Sequence, residues 1–278
     1  MAAGELFGMV CDMNQLLSDA QWAQYDRDGY LRLGRLLTGS DLATLQQRIN
    51  DIMLGTAPVA YDRMLMQLDS DSGKYEDAGQ MSKGHKGATL NYRKIQELEF
   101  DPLFLAYLQR PLFREICARV YGPDTPVAAF RAMFMNKPAR KGTFLPWHQD
   151  RWTWLDRDPQ ITVWTALDPA TVGNGCVQVV PGSHKLGLIN PSHPSGFLTK
   201  EQAARYAIAD KIQYLELDAG EAVLLHNYLL HASDVNRTDI PRRAFSVCYM
   251  DARTVTTNRE TYSVIFGEGA LRVEDIRP

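Results

Sequence analysis

Ile161-Thr162-Val163-Trp164-Thr165-Ala166-Leu167 sets Ile161, Val163 and Thr165 against Thr162, Trp164 and Ala166. That two-residue period is the mark of a β-strand. Similar short apolar runs surround it. Residues 127–136 (VAAFRAMFMN) precede it, and residues 176–180, 212–217, 222–226 and 243–250 follow. Gly173-Asn174-Gly175, Pro181-Gly182-Ser183 and Asp218-Ala219-Gly220 punctuate these runs, as turn residues do. Many short strands separated by turns predict a mainly β fold, a double-sheet jelly roll or related barrel. Residues 199–210 read as a short helix inserted between strands, and 185–210 as a lid.

Upstream, the pattern changes to helices that would pack on one outer face of the barrel. Ser18 or Asp19 can cap a short helix ending near Gly29, and residues 30–37 suit a short strand. Ser40 and Asp41 are candidate caps of a second helix, with Leu42, Leu45, Ile49 and Ile52 on one face and Gly55 as its stop. Residues 57–90 are polar and rich in Gly, Asp and Ser, which predicts a long loop. Helical patterns return over 102–120, interrupted at Pro111 and closed by Gly122. With no repeat or linker, the chain reads as one domain over 1–278. Its parts are a mostly helical flank (1–122), a jelly-roll core (123–255) and a C-terminal extension (256–278).

The composition of the 278 residues, 45% hydrophobic and 23% charged, excludes a disordered or collagenous chain. A net charge of −3 offers no basic excess for nucleic acid or an anionic membrane. Cys11, Cys117, Cys176 and Cys248 are widely spaced, which fits reduced thiols rather than a disulfide framework. No apolar run approaches the ~20 residues of a membrane span. The first residues lack a basic region ahead of an apolar block, and the last carry no peroxisomal or lipidation signal. A cytoplasmic protein acting on small molecules is the expectation.

The sharpest chemical signal is Pro146-Trp147-His148-Gln149-Asp150. On a strand, His148 and Asp150 would point the same way, about 7 Å apart along the backbone. The pair can share a metal ion, or can be a simple hydrogen-bonded couple. A metal needs a third ligand, and residues 224–233 (LLHNYLLHAS) offer both His226 and His231. Two His and one carboxylate form the facial triad of non-haem Fe(II) oxygenases.

Residues 127–250 carry further pieces in order: Asn136-Lys137-Pro138, Trp147-His148-Gln149-Asp150, Val163-Trp164-Thr165-Ala166-Leu167, Asn174-Gly175-Cys176, Pro181-Gly182-Ser183-His184-Lys185, His231-Ala232-Ser233, Asn236 and Arg242. Tyr25 to Tyr30 (YDRDGY) adds an opening segment. On these residues the chain resembles the phytanoyl-CoA dioxygenase family of Fe(II)/2-oxoglutarate oxygenases. The resemblance implies a double-stranded β-helix with iron held by His148, Asp150 and His231. His231 matches because Ser233, Asn236 and Arg242 follow it in the expected order, which leaves His226 as a strand residue beside the site. It implies that Arg242 and Ser233 hold the far carboxylate of 2-oxoglutarate, a task suited to a planar guanidinium. Gln149 and Trp164 also match cosubstrate-pocket positions, as Met133 and Lys94 do more loosely. The cofactors implied are Fe(II), 2-oxoglutarate and O₂. Related halogenases lack the carboxylate, so Asp150 favours hydroxylation, desaturation or ring formation.

Substrates in that family range from acyl-CoA thioesters to amino acids, compatible solutes and natural-product scaffolds. Lys137, Arg140, Lys141 and Arg151 lean toward a small anionic or zwitterionic one. As single residues, Lys137 and Arg151 read as exposed charges, Arg243 as a surface charge and His85 as a solvated loop residue. His184 reads as fixing a loop and His193 as a loop residue. Trp147, Trp152 and Trp154 flank the iron motif and are candidates to line a pocket. The loop 57–90 and the insert 185–210 would decide specificity. The competing class is a cupin-like module that binds a metal or ligand without turnover.

Overall fold

The structure is a computed structural model that describes residues 17–258 and 260–276. The readings made on the first residues, on Cys11 and on the last two residues lie outside that range. The strands are β1 (Tyr30–Arg35), β2 (Leu65–Leu68), β3 (Ser82–Lys83), β4 (Tyr92–Gln96), β5 (Val127–Lys137), β6 (Leu145–His148), β7 (Ile161–Ala166), β8 (Val177–Val179), β9 (Gln213–Leu215), β10 (Glu221–His226), β11 (His231–Ser233), β12 (Arg242–Asp251) and β13 (Val264–Phe266). The helices are α1 (Asp19–Asp28), α2 (Gly39–Leu54), α3 (Pro102–Leu108), α4 (Pro111–Tyr121) and α5 (Lys200–Tyr206).

The helix boundaries follow local chemistry. Ser18 and Gln21 form a reciprocal capping box on α1, and Gly29 closes it in the left-handed conformation. Pro102 and Pro111 each open a helix, where the missing N–H costs nothing. α2 differs from expectation. It starts two or three residues earlier than Ser40 and Asp41 suggest, with Thr38 at the cap position and no side-chain cap bond. Its buried face is Leu45, Ile49, Ile52 and Met53, with Leu42 half-buried.

The strands form two facing antiparallel sheets. One has nine strands in the order β1-β10-β7-β12-β5-β4-β2-β3, with β13 also on β5, and the other runs β6-β11-β8-β9. Successive strands from β5 to β12 cross repeatedly between the sheets, so β5-β12-β7-β10 faces β6-β11-β8-β9. This is a double-stranded β-helix. Helices α1 to α4 cover the outer face of the larger sheet. Ile161 and Val163 of β7 join α2, α3 and α4 in one core, and the Tyr107 and Thr165 hydroxyls share a 2.8 Å hydrogen bond. Trp164 and Ala166 on the opposite face pack between the sheets with Val177, Val179, Leu215 and Val223.

Residues outside the jelly-roll core also build the larger sheet. The stretch 57–90 is not a plain loop: β2 and β3 lie within it and pair with each other, and β2 pairs with β4. Strands of two to four residues are too short to show alternation against a polar background. β1 extends the opposite edge through β10, and β13 adds to β5.

Arg243 is not a surface charge. Its guanidinium makes a two-pronged pair with Asp168 at 2.7 Å and donates to Asn50 of α2 at 2.6 Å. Both charged groups are largely buried, so removing one strands the other in a poorly solvating place. Arg243→Ala should destabilise the fold by about 3 kcal/mol, read as a lowered urea midpoint, and Arg243→Met by less. A loss below about 1 kcal/mol for Arg243→Ala would mean the pair is solvated like an ordinary surface bridge.

Candidate active site

His148 ends β6 and His231 begins β11, and the two face each other as a cross-strand pair. Their ring centroids are 4.0 Å apart. His148 Nδ1 lies 2.8 Å from the Pro146 carbonyl and His231 Nδ1 lies 2.9 Å from the Leu229 carbonyl. A carbonyl oxygen only accepts, so each Nδ1 carries a proton and each ring turns its Nε2 inward. Those two Nε2 atoms are each 3.9 Å from an oxygen of Asp150. Burial, with His231 beside it, pushes the His148 pKa down to about 3. The ring is therefore neutral, and the spacing suits ligands around an ion rather than an ion pair. The three donor atoms lie within 4.8 Å of one another, as ligands about 2 Å from a shared metal would.

Strand alternation does not carry Asp150 to this point, because β6 stops at His148. Two backbone bonds hold the segment that follows. Gln149 N–H donates to the Gly196 carbonyl at 3.1 Å, and Asp150 N–H donates to the Asn227 carbonyl at 2.7 Å. Gly196 has φ +67°, and a Cβ there would stand 2.0 Å from the Gln149 carbonyl oxygen, so the approach needs glycine. Asn227 is itself fixed. Its side chain accepts from the Thr162 hydroxyl and donates to the Pro159 carbonyl, both at 2.8 Å.

The triad lies in a cavity of about 190 Å³ between the two sheets. Arg242, Ser233, Trp164, Met133 and Lys94 line the same cavity. Arg242 is buried, with its guanidinium carbon 5.3 Å from the Trp164 ring centre, and its Nε and Nη1 have no hydrogen-bond partner. Burial lowers its pKa to about 10, so it stays cationic at neutral pH. An unpaired buried cation is costly unless an anion completes it. Burial and the nearby Arg93 and Arg131 lower the Lys94 pKa to about 7.

Of the cosubstrate-pocket candidates, Gln149 is the one the structure does not bring into the cavity. Its fully buried side chain donates to the Gly187 and Tyr228 carbonyls and accepts from Ile189 N–H, each at 2.8 Å. It straps the 185–210 insert to the segment that carries His148 and Asp150. His226 also lies elsewhere, 5.0 Å from the ring of His184 and accepting from Tyr228 N–H. His184 bonds the Asp26 carbonyl, and His193 accepts N–H bonds from Ser195 and Phe197. His85 is packed rather than solvated, between Tyr61 and Tyr92 with Nε2 3.0 Å from the Met53 carbonyl. Trp152 lines the cavity, whereas Trp147 and Trp154 do not.

The basic residues sort differently from the expectation. Lys137 is buried, and its amine donates to the Thr143 carbonyl at 2.6 Å. Arg140 pairs with Asp239 and Lys141 with Asp71 on the surface. Arg151 is half-buried at the cavity wall. Sequence reasoning passed over Arg131, Tyr75 and Phe197, which also line the cavity. Arg131 was legible by alternation, two residues before Met133 on the same strand face. Tyr75 and Phe197 come from separate loops that meet over the site, with rings 5.2 Å apart, and no local pattern marks such a meeting.

With this geometry in hand, comparison with known proteins is decisive. The family model described as phytanoyl-CoA dioxygenase (PhyH) matches residues 25–244. The chain belongs to that family. A probable phytanoyl-CoA dioxygenase of Caenorhabditis elegans is 30% identical over 244 residues, covering 84% of this chain and 75% of that protein. The peroxisomal phytanoyl-CoA dioxygenase of Homo sapiens is 24% identical, covering 86% and 70%. Among solved structures, EctD from S. alaskensis with bound Fe superposes with a TM-score of 0.65 at 20% identity, covering 92% of this chain and 89% of that one. The carbocyclase SnoK from nogalamycin biosynthesis gives 0.61 at 18%, covering 86% of each. These two likenesses carry the fold. Family membership and the His/Asp/His donor set together make the chain an Fe(II)/2-oxoglutarate-dependent dioxygenase. Among the described residues, no helix is long and apolar enough to cross a membrane.

Asn227→Ala should loosen Asp150 and weaken Fe(II) affinity about tenfold, the usual cost of losing a group that supports metal ligands. Competition with a chelating dye measures this. Unchanged affinity would mean the Asn227 side chain does not steady Asp150.

Proposed function

We propose that His148, Asp150 and His231 hold Fe(II), and that Arg242 and Ser233 hold the far carboxylate of 2-oxoglutarate. The enzyme then hydroxylates an unactivated C–H bond of a small anionic or zwitterionic substrate. The observation that carries this reading is Arg242. It lines the cavity that holds three convergent metal donors, and two of its buried guanidinium nitrogens have no hydrogen-bond partner. A module that merely binds a metal has no use for that buried cation, which argues against the non-catalytic alternative.

The chain's residues divide the work. The Pro146 and Leu229 carbonyls fix both imidazoles with Nε2 inward. Asp150 supplies the single carboxylate, leaving positions for cosubstrate and O₂. Arg242, backed by the Trp164 ring, offers a flat fork that a carboxylate can meet with two hydrogen bonds. Lys94, Met133 and Trp164 form walls along the space between that fork and the triad. Iron and 2-oxoglutarate, when bound, supply the oxidising power through decarboxylation to succinate and CO₂. Tyr75 and Phe197 narrow the mouth and limit water there. A reducing compartment such as the cytoplasm fits three buried free cysteines.

Two variants test the assignment. Arg242→Ala should raise the 2-oxoglutarate concentration for half-maximal succinate release about tenfold or more, with Fe(II) affinity nearly unchanged. Equal loss of both would make Arg242 a structural residue. His231→Ala should abolish iron-dependent turnover and His226→Ala should retain it, and the opposite outcome would reassign the ligand.

A further inference from the structure

The two long strands of the cavity wall run antiparallel in register, with Arg242 opposite Lys137, Ser246 opposite Met133 and Cys248 opposite Arg131. Arg131 and Arg242 therefore mark opposite ends of one wall, six strand residues or roughly 20 Å apart. The small sheet orders what lies between them. Ser233 shares a recess with Arg242, His231 is two residues nearer the middle, and Asp150 leads on to Trp152. The Arg131 guanidinium carbon is 4.9 Å from the Trp152 ring centre and 5.2 Å from that of Phe130. The metal donors thus lie between two arginines, one at each end of the cavity.

The arginines differ from the other basic groups in what they lack. Among the described residues, Asp150 is the only carboxylate lining the cavity, against Lys94, Arg131, Arg151 and Arg242. Arg151 has Asp158 at 3.9 Å and donates to the Pro191 carbonyl. Lys94 lies opposite Met135, between the two arginines along the wall, with its amine near both Arg131 and Asp150. Arg242 is matched by the cosubstrate. Arg131 has no hydrogen bond or ion pair among the described residues. Two aromatic faces hold its planar group in place without satisfying its donors. A guanidinium oriented in this way and left without an anion is a preformed receptor for a carboxylate.

Resting on the oxygenase reading above, we propose that Arg131 binds a carboxylate of the primary substrate, with Trp152 covering the adjoining part of that molecule. The substrate is a small carboxylic acid, anchored at the end of the cavity opposite 2-oxoglutarate. Its distance from that anchor decides which carbon reaches the metal.

The test uses Zn(II)-loaded full-length protein with 2-oxoglutarate, and reads quenching of tryptophan fluorescence by hexanoate, phenylacetate and hippurate and by their primary amides. In the wild type at least one acid should bind about tenfold or more tightly than its amide. Arg131→Gln, which keeps a planar group against Trp152, should remove that preference, and Arg131→Lys should keep part of it. Melting temperatures close to wild type establish that both variants fold. A preference that survives in Arg131→Gln, or no preference in the wild type, overturns the inference. So does a loss of 2-oxoglutarate affinity in Arg131→Gln as large as in Arg242→Ala, because Arg131 would then serve the cosubstrate. Calorimetry of 2-oxoglutarate in the same samples separates the two ideas: failure of the wild type to bind it would defeat the oxygenase reading itself.

Discussion

Two backbone carbonyls govern the chemistry of this protein. Pro146 and Leu229 each accept from the Nδ1–H of the histidine two residues later. Each bond fixes a ring plane and turns an Nε2 toward Asp150. The rest of the molecule serves that arrangement. The β6–β11 register puts His148 opposite His231, and the Gly196 and Asn227 carbonyls pin the residues that deliver Asp150. The larger sheet, stiffened by helices on its outer face, holds the opposite wall at a fixed distance. A site that must bind metal and cosubstrate before it meets substrate needs such preorganisation, since loose ligands would raise the cost of each binding step.

The distribution of charge follows the same logic. The His148 imidazole is neutral, the lining carboxylate among the described residues is Asp150, and Arg93, Lys94 and Lys137 gather around the Arg242 recess while Arg131 stands apart from it. Arg242 and Arg131 are each held by an aromatic ring instead of an acidic partner. Stacking orients a guanidinium while leaving its donors available, so these positions recognise anions without being neutralised beforehand. Arg243, next to Arg242 in sequence, points to the other face and is fully committed to Asp168 and Asn50. Adjacent arginines on one strand thus have opposite fates, one for ligand and one for architecture.

Much of this was legible in the sequence, and the exceptions have physical reasons. Alternation over Ile161 to Leu167 separated the helix-facing from the cavity-facing side chains. The histidine-aspartate spacing with a distal histidine and arginine marked residues that converge on one cavity. Periodicity failed where strands were very short, as for β2 and β3. It also failed where a polar residue was satisfied by a distant backbone carbonyl. Lys137 reads as a solvated charge, yet its amine meets the Thr143 carbonyl in the interior. Gln149 sits between His148 and Asp150 in sequence, but its side chain ties down the insert instead. Such partners are set by tertiary approach, which one-dimensional spacing does not encode.

The central claim is that one Fe(II) and one 2-oxoglutarate bind together on His148, Asp150, His231 and Arg242. The most direct measurement is an anaerobic titration of the Fe(II)-loaded protein with 2-oxoglutarate, followed by visible absorption. A weak charge-transfer band should grow to saturation at one equivalent per chain and be absent in Asp150→Ala. A protein that takes up Fe(II) yet gives no band, or gives the same band without Asp150, would contradict it.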